Sequence, residues 1–388
     1  MAQHNTDYGL VYNTDESLCV TKRTDVVPFP GVTSYAVETG TTNLIGHTNG
    51  RFNSVTGGGT TPPTVELVSM KTPWGNEAWK VTIPANNDTG YSGCRATTNS
   101  FPITAETYYS YFTYVLFEGS LQPSHLYIYP TGKVGMRRMV LDSSKNIGSW
   151  QYFFRENAAP SSTGVDYFTY FATTTSTVAR TFYIAVGQFE QKPFASSFVN
   201  GSRPNGRLVV PLEKLGFNPA TDDWVVHYWK YPVATHTNDL TGYNLCSIGR
   251  WTSDNSQGYI WWGKKRGSNV FRINVVYNDS TSASAQSPSF DPAWYFRNWH
   301  YEVLLKHGSE MQYWIDGTLQ SQLALAKPLL NNFVVGLTLG GFSGGHANNS
   351  YIANACYGLY TDQWTPEYIQ EIYQQRNGFF VPPKAVIV

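Results

Sequence analysis

The stretch TFYIAVGQFEQKPFASSFVNGSRPNGRL, residues 181–208, changes character halfway along, and that change divides the chain. Phe182, Ile184 and Val186 alternate with Tyr183, Ala185 and Gly187, the two-residue period of a strand with one apolar face. From Pro193 onward the pattern breaks. Asn200-Gly201 and Pro204-Asn205-Gly206 are turn residues, because proline presets φ and Gly or Asn tolerates positive φ. Long aromatic-rich regions with β patterning lie on both sides. The stretch therefore reads as the last strand of one sandwich running into a linker before the next.

Working outward, 388 residues suffice for two domains, each with its own core. Charged residues make up 14% and aromatic residues 15%, the balance of an all-β surface protein in which aromatic and β-branched side chains fill pleated faces. The 27 basic and 27 acidic residues cancel, so there is no positive field to hold nucleic acid or an anionic membrane. No apolar run approaches the roughly 18 residues that span a bilayer. The N-terminus lacks a basic stretch followed by an apolar run, so no signal peptide is expected. Cys19, Cys94, Cys246 and Cys356 form no C-x-x-C pair; Cys246 and Cys356 fall in one domain and could meet across a sheet, against the plainer reading of reduced thiols.

Along the chain, residues 1–40 carry strand-like fragments at 10–12 and 18–20 but no core of their own, and read as a short N-terminal arm that orders against a neighbour or packs on the first sandwich. That sandwich is placed at 41–200, with strands at 65–70, 78–83, 108–117, 126–129, 148–155 and 182–186, a flexible loop at 56–63, and turns at 86–88 and 130–132. The second is placed at 207–378, with strands at 224–231, 259–263, 271–277, 299–306, 311–315 and 333–339. Thr365-Pro366-Glu367 supplies an N-cap, a proline at the first helical position and an early acid, and Tyr368, Ile369, Ile372 and Tyr373 form an apolar stripe, giving one C-terminal helix that Asn377-Gly378 stops. Residues 379–388 form a tail. The fold class is all-β: two tandem jelly-roll or concanavalin-like β-sandwiches.

Two groups of residues carry a resemblance. Gly187-Gln188-Phe189-Glu190 followed by Phe194-Ala195-Ser196-Ser197-Phe198 and Gly201-Ser202-Arg203 resembles the junction, in many bacteriophage virion proteins, between a carbohydrate-binding-module-like jelly roll and a concanavalin/laminin-G-like one. Thr42-Asn43-Leu44-Ile45 resembles the opening of the first module in that architecture. Trp299-His300 followed by Tyr313-Trp314-Ile315-Asp316-Gly317 is similar to a concanavalin/laminin-G signature, and reads physically as a strand, a turn at 307–309, a partner strand and a tight Asp-Gly turn. The resemblance implies a virion surface protein, of decoration or tail-fibre type, made in the host cytoplasm and released by lysis. Other virion proteins and host surface glycans become the expected partners, and a homo-oligomer the expected state.

Residues that could carry chemistry are few. Concanavalin-fold glycosidases need carboxylates at i, i+2 on one strand face, and no two carboxylates here have that spacing. Gly341-Phe342-Ser343-Gly344-Gly345 matches G-x-S-x-G but precedes loop and strand residues, not the helix a nucleophile elbow requires. The eight histidines have no zinc-site spacing. No cofactor is expected; a structural Ca²⁺ fits both module types, and Asp88, Asp222 and Asp223 sit in loops without being assigned as ligands. No enzyme is read, a depolymerase being the minor alternative. Aromatic residues remain: Trp251, Tyr259, Trp261 and Trp262, near Asn255 and Gln257, form the candidate sugar-binding segment, with Trp74 and Tyr91 beside other loops. Trp261 and Trp262 must face opposite sides of a strand, so one is core and the other is exposed or at an interface. A purely architectural subunit without sugar binding is the competing reading.

Overall fold

The structure, a computed structural model, describes residues 3–5, 10–12, 19–24, 26–48, 51–59, 61–85, 92–118, 126–129, 139–140, 148–160, 162–173, 178–192, 195–203, 205–206, 208–233, 244–250, 252–265, 267–342, 346–347 and 349–375. The turns expected at 86–88 and 130–132, the helix stop at 377–378 and the tail lie outside the described residues. The chain is all-β and falls into two compact units. One contains Thr41–Arg203; the other contains Val11–Gly40 together with Pro204–Val388.

In the first of these, two antiparallel sheets of five strands each enclose a core. One sheet runs Trp150–Ala158, Tyr109–Glu118, Arg180–Glu190, Glu77–Ile83, Thr64–Ser69 in spatial order. The other runs Met139–Val140, Leu126–Tyr129, Gly164–Thr173, Ser92–Ile103, Ser54–Gly59. Val81, Val115, Phe117, Phe182 and Ile184 meet Val55, Cys94, Ala96 and Ile128 between them. Each alternates along its strand with an outward residue, the pattern a half-buried sheet requires. The loop expected over 56–63 is in part a strand, Ser54–Gly59, pairing with Ser92–Thr97. Gly57 serves a close approach: a Cβ there would stand 2.8 Å from the Pro63 carbonyl oxygen.

The strand of the opening stretch is longer than its alternation suggests. It spans Arg180–Glu190, so the QFE segment continues the strand expected over 182–186. Beyond Glu190 the chain folds back into a clasp. The buried Glu190 carboxylate accepts from Thr41 Oγ1 at 2.6 Å, the Ser196 amide at 2.6 Å, Ser196 Oγ at 2.7 Å and Gln188 Nε2 at 3.0 Å. Gln188 Oε1 accepts from the Val199 amide at 2.8 Å, and Arg203 Nη1 donates to the Ser197 carbonyl at 3.2 Å. Asn43 closes the other side: its Nδ2 donates to the Gly187 and Val199 carbonyls, and its Oδ1 accepts from the Ile45 and Phe189 amides. The Glu190, Gln188 and Asn43 side chains are buried and internally satisfied, as burial demands.

The second unit is also a sandwich. Its six-stranded sheet has the order Leu208–Val210, Leu337–Leu339, Asn244–Gly249, Tyr259–Lys264, Phe271–Val276, Ser282–Gln286. The strand expected over 333–339 is therefore confined to its last three residues. The facing sheet carries Cys19–Arg23, Ser34–Val37, Ser350–Leu359, Trp224–Pro232, His300–His307, Glu310–Ile315 and Thr318–Ala324 in that order. The segment read as an arm thus supplies strands to this sheet: Ser34–Val37 pairs with Ser350–Ala353, and Thr21–Arg23 pairs with Ser34–Ala36. The physical reason is burial, since Ala36 and Val37 are enclosed by a core built elsewhere in the chain. Cys246 and Cys356 are both unpaired.

The signature residues around 300 and 316 explain themselves geometrically. His300 Nδ1 lies 2.7 Å from Asp316 Oδ2, and Asp316 Oδ1 accepts from the Tyr301 amide at 2.9 Å. Asp316 and Gly317 both have positive φ, 52° and 77°, as a two-residue hairpin turn between right-twisted strands demands. The helix Pro366–Gln374 is capped by Thr365, whose Oγ1 accepts from the Tyr368 amide at 3.2 Å. It lays Ile369 on a layer of Val225, Trp229, Tyr301 and Trp314, the side of the larger sheet away from the six-stranded one. A four-residue helix, Pro292–Tyr295, is additional to the expected elements.

Candidate functional site

The candidate site is built on the parity of Tyr259–Lys264, a central strand of the six-stranded sheet. Ile260 and Trp262 point into the sandwich and are fully buried. Trp262 Nε1 donates to the Tyr228 hydroxyl at 2.8 Å, tying the two sheets together. Trp261 points to the opposite face and is partly exposed. The sequence required the two indoles to part; the structure makes Trp262 the core member.

Strand register sets Trp261 in a row. Thr338 pairs with Ser247, Ser247 with Trp261, Trp261 with Asn274, and Asn274 with Ser284, all on the outer face. One residue pair further along, Gly263 stands opposite Arg272. With no side chain at Gly263, the Arg272 guanidinium lies over the Trp261 ring, 5.3 Å from its centroid. Arg272 Nη2 donates to Ser284 Oγ at 2.8 Å.

This row contains polar atoms with nothing to bond. Ser247 Oγ, Asn274 Oδ1, Thr338 Oγ1 and Arg272 Nε are all buried atoms without a hydrogen-bond partner among the described residues. Ser247 is 3% exposed, Asn274 7% and Thr338 0%. A buried polar group left unpaired costs about 1–3 kcal/mol, so four on one sheet face constitute a set of unspent donors and acceptors beside an aromatic ring. The Trp261 ring is half-buried with the Arg272 guanidinium over it, Ser247 and Thr338 are enclosed, and Ser284 is the row's exposed hydroxyl.

The other residues singled out in the sequence separate. Tyr259 shares the outward parity but is buried; burial raises its phenol above the ordinary range, and its hydroxyl donates to Asn255 Oδ1 at 3.2 Å. Asn255 adopts positive φ, 54°, and donates from Nδ2 to the Ser280 carbonyl at 2.9 Å, which makes it a tie of the rim loop. Gln257 is half-buried, with Oε1 unpaired among the described residues. Trp251 and Tyr91 lie outside the described residues. Trp74 is buried against Phe112, Tyr114, Val186 and Phe198, as a core residue. Ser247, Asn274, Arg272 and Thr338 were not foreseen, because polar residues inside strands look like ordinary outward positions until the register brings them side by side.

Among the described residues, Glu302, Asp222 and Asp223 are engaged by neighbouring donors. Glu302 is fully buried in the second sandwich, accepting from the hydroxyls of Tyr228 at 2.7 Å and Tyr295 at 2.9 Å, with Lys230 Nζ at 3.6 Å. Burial first, then the adjacent Cys246 and Glu302, holds the Tyr228 phenol well above its ordinary range. Asp222 accepts from the Asn218 amide, while Asp223 accepts from the Gly308 amide and faces Lys306 and His307. These carboxylates meet N–H donors, so the pair does not fit a Ca²⁺ cradle; Asp88 lies outside the described residues. Among the described residues no cluster of three metal-ligating side chains occurs. Gly341–Phe342 pairs with His346–Ala347 as a β-ladder, so the G-x-S-x-G run is bracketed by strands and does not lead into a helix.

No protein-family model matches the chain, and no curated protein matches it. Among solved structures, the binding domain of botulinum neurotoxin serotype G matches with a TM-score of 0.34 and 11% identity, over 47% of this chain and 44% of that one. The receptor binding domain of the botulinum neurotoxin C/D mosaic serotype matches with a TM-score of 0.28 and 13% identity, over 39% and 36%. The chain thus spans less than half the length of these structures, and likenesses at this level carry no inference about what it does.

Proposed function

We propose that this is a non-catalytic adhesion protein of a bacteriophage particle surface, which binds glycans weakly through the outer face of its six-stranded sheet. The observation that carries the glycan reading is the outward Trp261 ring set among buried, unpaired polar atoms of Ser247, Asn274 and Thr338. Sugar recognition combines an apolar ring face with a few fixed hydroxyl-reading groups; Trp261 would supply the ring and the exposed Ser284 of the same row a hydroxyl. The virion assignment is supported by the resemblance at 187–203 and 42–45, whose side chains are spent on the internal clasp around Glu190 and Asn43. That same fact favours the architectural reading as the alternative, since a clasp binds nothing external.

A single weak site of this kind binds in the millimolar to sub-millimolar range, roughly 4 to 6 kcal/mol. Glycan-array binding followed by titration of the hits should show Trp261→Ala losing about 3- to 10-fold in affinity with an unchanged thermal midpoint. A blank array, with Trp261 buried against another subunit in the particle, replaces this reading with the architectural one. Sustained release of reducing ends from host polysaccharide would overturn the non-catalytic part.

A further inference from the structure

We infer that the ligand of the Trp261 face is an acidic saccharide, one carrying a carboxylate, with Arg272 as the residue that selects it. The inference rests on the glycan reading and adds the chemical class. Arg272 is the charged member of the site: its guanidinium covers the Trp261 ring at 5.3 Å, and a neutral hydroxyl, Ser284 Oγ, takes its Nη2. No carboxylate lies within ion-pair distance of it among the described residues, and Nε is buried without a partner.

Four other strand-borne cations face a carboxylate, whereas Lys264 on the neighbouring strand lies, like Arg272, over a ring, that of Phe296. Lys230 faces Glu302, Lys306 faces Asp223, Arg51 faces Glu77 and Lys80 faces Glu66. Arg272 is held by an aromatic ring and a serine instead, which orients the guanidinium without neutralising it. Guanidinium groups pair with carboxylates through two parallel N–H donors, and such charge-assisted bonds are roughly twice as strong as neutral ones. The hydroxyls of the same ligand would meet Ser284, the exposed hydroxyl of the row next to Asn274. Neutral sugars would meet that hydroxyl and leave the guanidinium unanswered.

The test uses the full chain and matched ligands that differ only at C6: the methyl glucoside and methyl glucuronide, with the corresponding galacto and manno pairs, titrated by ligand-observed NMR. In at least one pair the uronide should bind about tenfold more tightly than its neutral partner at low salt. Arg272→Gln should bring that ratio below about twofold, while Arg272→Lys retains part of it. Trp261→Ala should weaken both members of the pair alike, and high salt should narrow the gap. Equal affinities within every binding pair, or a ratio unchanged in Arg272→Gln, overturn this inference and leave the glycan reading standing. Absence of binding by all six sugars to the unaltered chain overturns the glycan reading itself. The thermal midpoint of each variant, unchanged from the parent, separates loss of recognition from loss of fold.

Discussion

Removing one member of the buried Lys230–Glu302 pair should destabilise the second sandwich more than any surface change in it. Both side chains are 0% exposed, with Lys230 Nζ 3.6 Å from Glu302 Oε1. At an effective dielectric of 20 their attraction is about 4.6 kcal/mol, set against several kcal/mol of desolvation for each ion. Lys230→Met removes the attraction and leaves the carboxylate in the core with two tyrosine hydroxyls. The expected loss is about 3–5 kcal/mol, or roughly 6–20 °C in the midpoint of a unit this size. Glu302→Gln removes the counter-charge of the ammonium and weakens the acceptor for Tyr228 and Tyr295, with a similar cost. The double variant buries no charge, so its loss should fall about 3 kcal/mol or more short of the sum of the singles. Urea unfolding, fitted with a separate transition for each unit, measures all four corners of the cycle. Single losses below about 1 kcal/mol, or additivity within about 0.5 kcal/mol, would refute the reasoning.

Acid should weaken both units through buried neutral histidines. Burial, opposed by the Ile45 carbonyl, pulls His47 down to about 3 in the first unit, and burial pulls His227 to about 4 in the second. Below the unfolded value of about 6.5 the unfolded chain binds the extra proton, so stability falls with pH until the folded value is reached. The expected loss at pH 5 is about 2 kcal/mol per histidine. His47→Gln should flatten the urea midpoint against pH for the first unit, and an unchanged slope would refute the assignment. Asn43→Ala removes the side chain that serves two carbonyls and two amides, and should cost the first unit about 3 kcal/mol or more by urea unfolding; a loss below about 1 kcal/mol contradicts the clasp. Because the chain leaves one unit at Gly40 and returns to it at Pro204, engineered cleavage at one junction should leave the units covalently joined. Cleavage at both should free 41–203 as a folded β fragment by circular dichroism, and an unfolded fragment would refute its independence.

What the sequence disclosed was local. The hairpin at 300–315 and its Asp316-Gly317 turn could be read because partner strands are consecutive and turn residues announce themselves. The helix was readable from its cap and stripe. Ser92–Ile103, with its Ser, Thr, Asn and Pro content, shows no alternation and draws its strand character from neighbours on both sides. The pairing of Tyr35 with Ile352 joins opposite ends of the chain. Nothing near Tyr35 specifies that partner, so a segment that supplies strands to a sheet looked like an arm.

The site divided in the same way. Parity alone dictated that Trp261 and Trp262 part, but the inward choice depended on Tyr228 waiting across the sandwich. The unpaired atoms of Ser247, Asn274, Arg272 and Thr338 exist as a group only through cross-strand register. By contrast, the runs that carry the family resemblance are contiguous, and the fold uses them to close one sandwich upon itself around Glu190 and Asn43. The motif and the proposed recognition surface therefore belong to different units. A change at Asn43 should be read in the unfolding of 41–203 and leave sugar affinity at Trp261 untouched. A change at Arg272 should be read in ligand preference and leave the unfolding of both units where it was. If instead the clasp variant alters binding while its unit stays folded, the glycan contact lies in the first sandwich and the Trp261 row is structural.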